Sequence, residues 1–185
     1  MITSLDKNTA LVLIDMQNGI VSLPLFSSAE PVIANCVALA TAFRKAGQPV
    51  VIVNVDPATN PLNKLRKDAQ QHSGELPAGW LDIIPQLEVQ EGDIRITKNN
   101  WNAFTNPDLH RQLQSKNVTG IVLAGIATSV GVEGTARAAV EHAYNITFVT
   151  DAMSDMVEDA HNNSLKNIFP RIGELGTTAE VIAKL

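Results

Sequence analysis

Ala10-Leu11-Val12-Leu13-Ile14-Asp15 is an unbroken apolar run that stops on a carboxylate. A strand wetted on one face alternates apolar and polar residues, so a continuous run of this length reads as a strand buried on both faces of a parallel sheet. Downstream, residues 31–46 carry Val32, Ile33, Cys36, Val37, Leu39, Ala40 and Phe43 at helical spacing and stop at Gly47, the residue type that most often terminates a helix. The alternation then repeats. Residues 50–53, 94–97, 120–124 and 146–150 are strand-sized runs, the second leading directly into Lys98. Asn106 with Pro107 reads as the cap and first residue of a helix through Leu109 and Leu113 to Lys116, and further helices are expected over 130–142 and around 160–168. A short strand near Leu175 precedes Thr177 and Glu180, whose spacing is that of a capping box for the final turns to Leu185.

Strands and helices in strict alternation predict an α/β fold, a three-layer α/β/α sandwich around a mostly parallel sheet of about six strands. The chain has 185 residues, 45% of them apolar and 18% charged. That length fits one domain, 1–185, able to bury about 70% of its unfolded surface without a metal or disulfide staple. The composition excludes a disordered tail or polar linker. A net charge of −5 without a basic stripe argues against nucleic acid as a partner, because Lys and Arg must neutralise the phosphates. The longest apolar runs are far shorter than the 18 or so residues of a membrane span, so no membrane partner is expected. A lone cysteine, Cys36, and an opening stretch without a signal-peptide profile point to the cytoplasm.

In parallel α/β sheets ligands bind beyond the carboxyl ends of the strands, which directs attention to Asp15, Asp56, Lys98, Gly125 and Asp151. Asp15 alone is equally compatible with an Asx turn, and Lys98 alone with a surface charge. Together, a carboxylate and an ammonium at two strand ends can share a cleft and shift each other's proton affinity. The third element is Ala124-Gly125-Ile126-Ala127-Thr128-Ser129-Val130-Gly131-Val132-Glu133, a small-residue turn between a strand and a helix. It lacks the spacings of dinucleotide and P-loop motifs, but backbone N–H groups at such a turn can receive a carboxylate or a developing oxyanion. Gly131 and Gly134 each cost the helix about 1 kcal/mol relative to alanine, so close packing or room for a ligand must favour them. The loosest segment, 56–92, contains Leu62, Leu65, Trp80, Leu81, Ile83 and Ile84, and loops this long in compact domains serve as lids or contacts.

Leu11 to Gln17, then Lys98 with Phe104-Thr105 and Asp108-Leu109, then Gly125 to Val132 with Thr135-Ala136-Arg137, resemble the motifs of the isochorismatase-like hydrolases over essentially the whole chain. The resemblance implies an Asp, Lys, Cys triad in the cysteine hydrolase members, with Asp15 and Lys98 in the first two places and Gly131 where the cysteine would stand. Glycine cannot form the covalent intermediate of the amidases in that superfamily. Isochorismatases proper, as the resemblance implies, also carry glycine there and cleave a vinyl ether after protonating it. The expected function is therefore non-covalent, acid-catalysed hydrolysis of a small anionic metabolite, with Asp15 as acid, Lys98 orienting it and the vacancy at Gly131 leaving room for substrate. A catalytically silent binding or regulatory member of the family is the alternative, and a cysteine-type amidase such as a nicotinamidase the more distant one.

The resemblance further implies a cis peptide between Ile126 and Ala127, backbone N–H groups of Ala127 and Gly131 facing the substrate oxygen, and a homodimer or higher homo-oligomer, for which Trp80, Leu81, Ile83 and Ile84 offer a contact surface. Gln17, Trp101, Phe104 and Thr128 are the expected substrate contacts, the two aromatics reading equally as a pocket wall for a flat or cyclic molecule or as loop-to-core packing. Cys36 sits on a helical apolar stripe and reads as a small buried hydrophobe. No cofactor is expected, and no metal: Pro57 and Ala58 follow Asp56, and His72, His110, His142 and His161 are scattered without ligand spacing.

Overall fold

The computed structural model describes residues 2–68 and 75–185. Its sheet has six strands, β1 (Thr9–Ile14), β2 (Val50–Val55), β3 (Ile94–Lys98), β4 (Gly120–Ile126), β5 (Asn145–Ser154) and β6 (Glu174–Gly176). They lie in the order β3-β2-β1-β4-β5-β6, and every pairing is parallel. The helices are α1 (Asn18–Val21), α2 (Ala29–Lys45), α3 (Pro107–Ser115), α4 (Glu133–Glu141), α5 (Glu158–Asn163) and α6 (Thr178–Ile182). Among the described residues no helix is long and apolar enough to cross a membrane.

The central strand shows why a solid apolar run was needed. All six residues of β1 are buried. Ala10, Val12 and Ile14 join one core with Leu109 and Leu113 of α3 and Ala136 and Ala139 of α4, whereas Leu11 and Leu13 enter another with Cys36, Leu39 and Phe43 of α2 and Val181 of α6. Each large aliphatic side chain so buried stabilises the fold by roughly 1.5–3 kcal/mol. Asn106 caps α3 by accepting from Asp108 N–H, and Thr177 with Glu180 forms the expected capping box on α6. Gly47 sits just beyond α2 at φ +70°, a conformation that favours glycine.

Three boundaries differ from the sequence reading. β5 continues to Ser154, so Asp151 lies within the strand rather than at its end. The polar pair Thr150-Asp151 looks like a terminus because its partners are tertiary: Asp151 accepts from the N–H and hydroxyl of Thr178 at the start of α6. The helices expected over 130–142 and 160–168 each include a π-helical turn, Thr128–Val132 before α4 and Ser164–Ile168 after α5. The loose segment folds back on the site. Residues 79–84 run against 16–19 through Gly19 N–H to Trp80 O, Asn18 N–H to Asp82 O and Ile84 N–H to Met16 O. Trp80 covers Gly19 so closely that a Cβ there would lie 2.1 Å from the indole, and Ile84 is buried. Of the expected contact surface, Ile84 is thus turned inward, while Trp80, Leu81 and Ile83 are half-buried. His72 lies outside the described residues.

Candidate active site

Asp15 is the first residue beyond β1. Its N–H still donates to Val53 O on β2, but its φ of +53° swings the chain out of the sheet and its O accepts from Gln17 N–H. Aspartate tolerates this left-handed conformation better than most residues. Lys98 ends β3, two strands away. Its Nζ donates to Asp15 Oδ2 at 2.7 Å and to Asn100 O at 2.9 Å. The pair is nearly dry, with Asp15 4% and Lys98 3% exposed. Asp15 Oδ1 is buried and has no hydrogen-bond partner among the described residues. Burial raises the Asp15 pKa from 3.8 to about 6, the attraction and hydrogen bond of the Lys98 ammonium offsetting only part of the desolvation.

Gly131 closes against the same carboxylate. A Cβ at this position would stand 3.2 Å from Asp15 Oδ2 and 2.8 Å from Ile14 Cγ2. The expected vacancy is therefore occupied: the space a side chain would use is filled by Ile14 and Asp15, both set by β1, and the glycine permits close approach rather than leaving a hole. Gly125 makes a comparable approach, since a Cβ there would lie 2.1 Å from Ile14 O and its φ is +120°. The turn between them contains a cis Ile126–Ala127 peptide. Ala127 O accepts from Val130 N–H and Val132 N–H, which fixes the turn from within.

Other anticipated residues have different surroundings. Gln17 is fully buried, and its amide is engaged by backbone: Nε2 donates to Val55 O and Trp80 O, and Oε1 accepts from Val55 N–H. Thr128 is fully buried, donating to Ser154 O and contacting His161 Nδ1. Phe104 packs among His110, His142 and Tyr144 rather than facing Asp15. Trp101 is 55% exposed, and its Cβ would lie 3.3 Å from a Cβ on Gly134. Beside Lys98 a cavity of about 300 Å³ is bordered by Asp56, Thr97, Asn99, Thr105, Asn106 and Pro107. Asp56 on its wall accepts from Ala58 N–H.

Two residues that the sequence reading did not select hold the turn from outside. Asp155 follows β5 and accepts from the N–H and hydroxyl of Ser129 with Oδ2, and from Met156 and Val157 N–H with Oδ1. Its signal was its position at the true strand end, which Asp151 masked. His161 had none, being one histidine in a polar helix.

The candidate site is thus a buried carboxylate–ammonium pair at two strand ends of a parallel α/β sheet, closed by a glycine-bearing turn. The Isochorismatase domain model matches residues 9–180, and the chain belongs to that family of hydrolases. It is 42% identical over 182 residues to the isochorismatase family protein YwoC of Bacillus subtilis (strain 168), spanning 97% of this chain and 95% of that protein. It is 34% identical over 155 residues to the ureidoacrylate amidohydrolase RutB of Pseudomonas syringae pv. syringae (strain B728a), covering 70% of this chain and 63% of that one. An isochorismatase family protein from Burkholderia thailandensis superposes with a TM-score of 0.93 at 41% identity, over 100% of this chain and 99% of that one.

Proposed function

We propose that the chain hydrolyses a small, anionic vinyl ether without a covalent enzyme intermediate. The observation that carries this reading is Asp15: a buried carboxyl with pKa about 6 and an unpartnered Oδ1, held by Lys98 and faced by glycine at 131. A carboxyl with its pKa raised this far retains a protonated fraction close to neutrality and is a competent general acid. Asp15 gives that proton to the terminal enol ether carbon as the C=C electron pair forms the new C–H bond. The ether oxygen shares its lone pair to make an oxocarbenium ion. Water adds to the cationic carbon and returns a proton to Asp15, and the hemiketal collapses to a carbonyl compound and an alcohol. Lys98 holds the carboxyl in place and supplies the positive charge that favours an anionic substrate. The backbone of Ala127 and Gly131 borders the reacting oxygen.

Amide hydrolysis is the second reading, and the amidohydrolase relative favours it. The thiol chemistry it requires finds no support in Cys36, which is fully buried on α2 with its pKa pushed far above the usual thiol range by burial. A third reading is a catalytically silent binding member of the family. The experiment is a panel of enol-ether acids and amides assayed with wild type and Asp15→Asn. Enol-ether turnover lost in the variant is the expected result. Amide turnover that survives Asp15→Asn, or thermal stabilisation by a ligand with no turnover, overturns the proposal in favour of the second or third reading. Self-association belongs to this reading too. Phe26 N–H donates to Asp155 O, which brings exposed Phe26 beside exposed Met156 and Val157.

A further inference from the structure

We propose that His161 is the positioning residue of the turn that carries Gly131, acting through Thr128 in its Nδ1–H tautomer. This rests on the reading of that turn as the wall of the active site. The Thr128 hydroxyl has one proton and two close partners, Ser154 O at 3.0 Å and His161 Nδ1 at 2.8 Å. A carbonyl only accepts, so the hydroxyl proton points to Ser154 and the hydroxyl oxygen must accept from His161. Nδ1 therefore carries the imidazole proton and Nε2 the lone pair. The ring also packs against Phe26, whose centroid lies 5.0 Å away, and His161 is only 8% exposed. Burial lowers the imidazole pKa, against the opposing charges of Asp155 and Glu158.

Thr128 opens the π-helical turn and Gly131 lies within it, against Asp15 Oδ2. The turn is anchored to β5 and α5 at adjacent residues, by Thr128 to Ser154 and His161 and by Ser129 to Asp155. A π-helical turn is an uncommon conformation that occurs frequently at functional sites, and here these outside partners add to the bonds to Ala127 O that close it from within. Loss of the His161 bond leaves a fully buried threonine oxygen under-satisfied and frees the turn to rotate Gly131 away from the carboxylate.

Two measurements test this. Long-range proton–nitrogen correlation on the wild-type protein should show a pyrrole-type Nδ1 and a pyridine-type Nε2 for His161, and the reverse pattern overturns the assignment. Hydrogen-exchange mass spectrometry should show protection of residues 126–133 falling by about tenfold in His161→Ala and Thr128→Val, with residues 9–14 unchanged. His161→Asn places an amide N–H near the Nδ1 position and should restore protection, whereas His161→Gln reaches too far and should not. Equal behaviour of Asn and Gln, or a loss spread over the whole molecule, overturns the positioning role. Local exchange changes in a protein that turns over no enol ether support the role while removing the proposed reaction. Unimpaired turnover and protection in His161→Ala would do the opposite.

Discussion

Asp15 Oδ2 and Lys98 Nζ are 2.7 Å apart, yet the strands that carry them are not neighbours, for β2 lies between β1 and β3. The lysine reaches across the end of β2 and is held there by Asn100 O. An ion pair this dry cannot be judged by Coulomb attraction alone, because desolvation opposes it. Here desolvation prevails for the carboxyl, and its pKa rises to about 6 in spite of the ammonium. Asp15→Asn keeps the shape and removes the transferable proton, so kcat for enol-ether hydrolysis should fall by roughly 100-fold or more. A steady-state assay on correctly folded variant checks it, and near-wild-type turnover would remove Asp15 from the chemistry.

The same shift fixes two pH dependences. If protonated Asp15 is the active form, kcat/KM should decline as pH rises through about 6. Stability moves in the same direction. The folded pKa exceeds the unfolded 3.8, so the folded state binds the proton more tightly. The resulting contribution is fully present below pH 3.8 and is lost as pH rises through 6, amounting to about 3 kcal/mol across that window. Denaturant titrations of wild type and Asp15→Asn at several pH values isolate it, because the difference between the two should change by that amount and level off above the upper pKa.

Lys98→Met should displace the activity limb. The ammonium lowers the Asp15 pKa, so its removal leaves desolvation unopposed and the limb should move above pH 6, while kcat drops because the carboxyl is no longer held. An unmoved limb in a folded Lys98→Met protein would mean that the titration belongs to another group.

Much of the fold was legible because β1, β2 and β4 are buried on both faces and therefore read as solid apolar runs. Asn106-Pro107 and Thr177 with Glu180 were legible because caps act on groups three residues away or nearer. Asp15, Lys98 and Gly131 could be named from their places at strand ends and from the family resemblance. Illegible were relationships made only by tertiary structure. Asp151 looked like a strand end because its true partner, Thr178, is distant in sequence. Gln17 and Thr128 looked available for substrate because nothing local reveals that Val55, Trp80, Ser154 and His161 engage them.

Cys36→Ala should leave turnover within about twofold of wild type and lower stability by about 1 kcal/mol, the usual scale for a small core truncation. The thiol is buried between β5 and α2, with its Sγ 3.7 Å from Ala152 O. An alkylating reagent should modify it only after denaturant is added, as intact-mass measurement would show. Rapid labelling of native protein together with loss of activity would restore a thiol mechanism.

Exposed Phe26, Met156 and Val157 beside one another predict an assembly larger than the 19.9 kDa chain in multi-angle light scattering at micromolar concentration. A single species at the monomer mass would remove self-association from the proposed function.

Gly131 packs so closely on Ile14 that a side chain at 131 should carry a definite cost. A Cβ on residue 131 would meet Ile14 Cγ2 at 2.8 Å, inside the distance that real side chains maintain. Cγ2 branches directly from Cβ and cannot swing aside like the end of a long chain. Gly131→Cys should therefore overpack the β1–turn contact and destabilise the protein by about 1–3 kcal/mol. Ile14→Ala alone opens a cavity and costs about 2–5 kcal/mol. Combined, each substitution relieves the defect of the other, so the double variant should be more stable than the sum of the single effects predicts, with a coupling of at least about 1 kcal/mol. Urea unfolding of the four proteins measures it. Additive effects would show that the turn can shift away from Ile14 without loss, and that glycine at 131 is retained for the reaction rather than for packing.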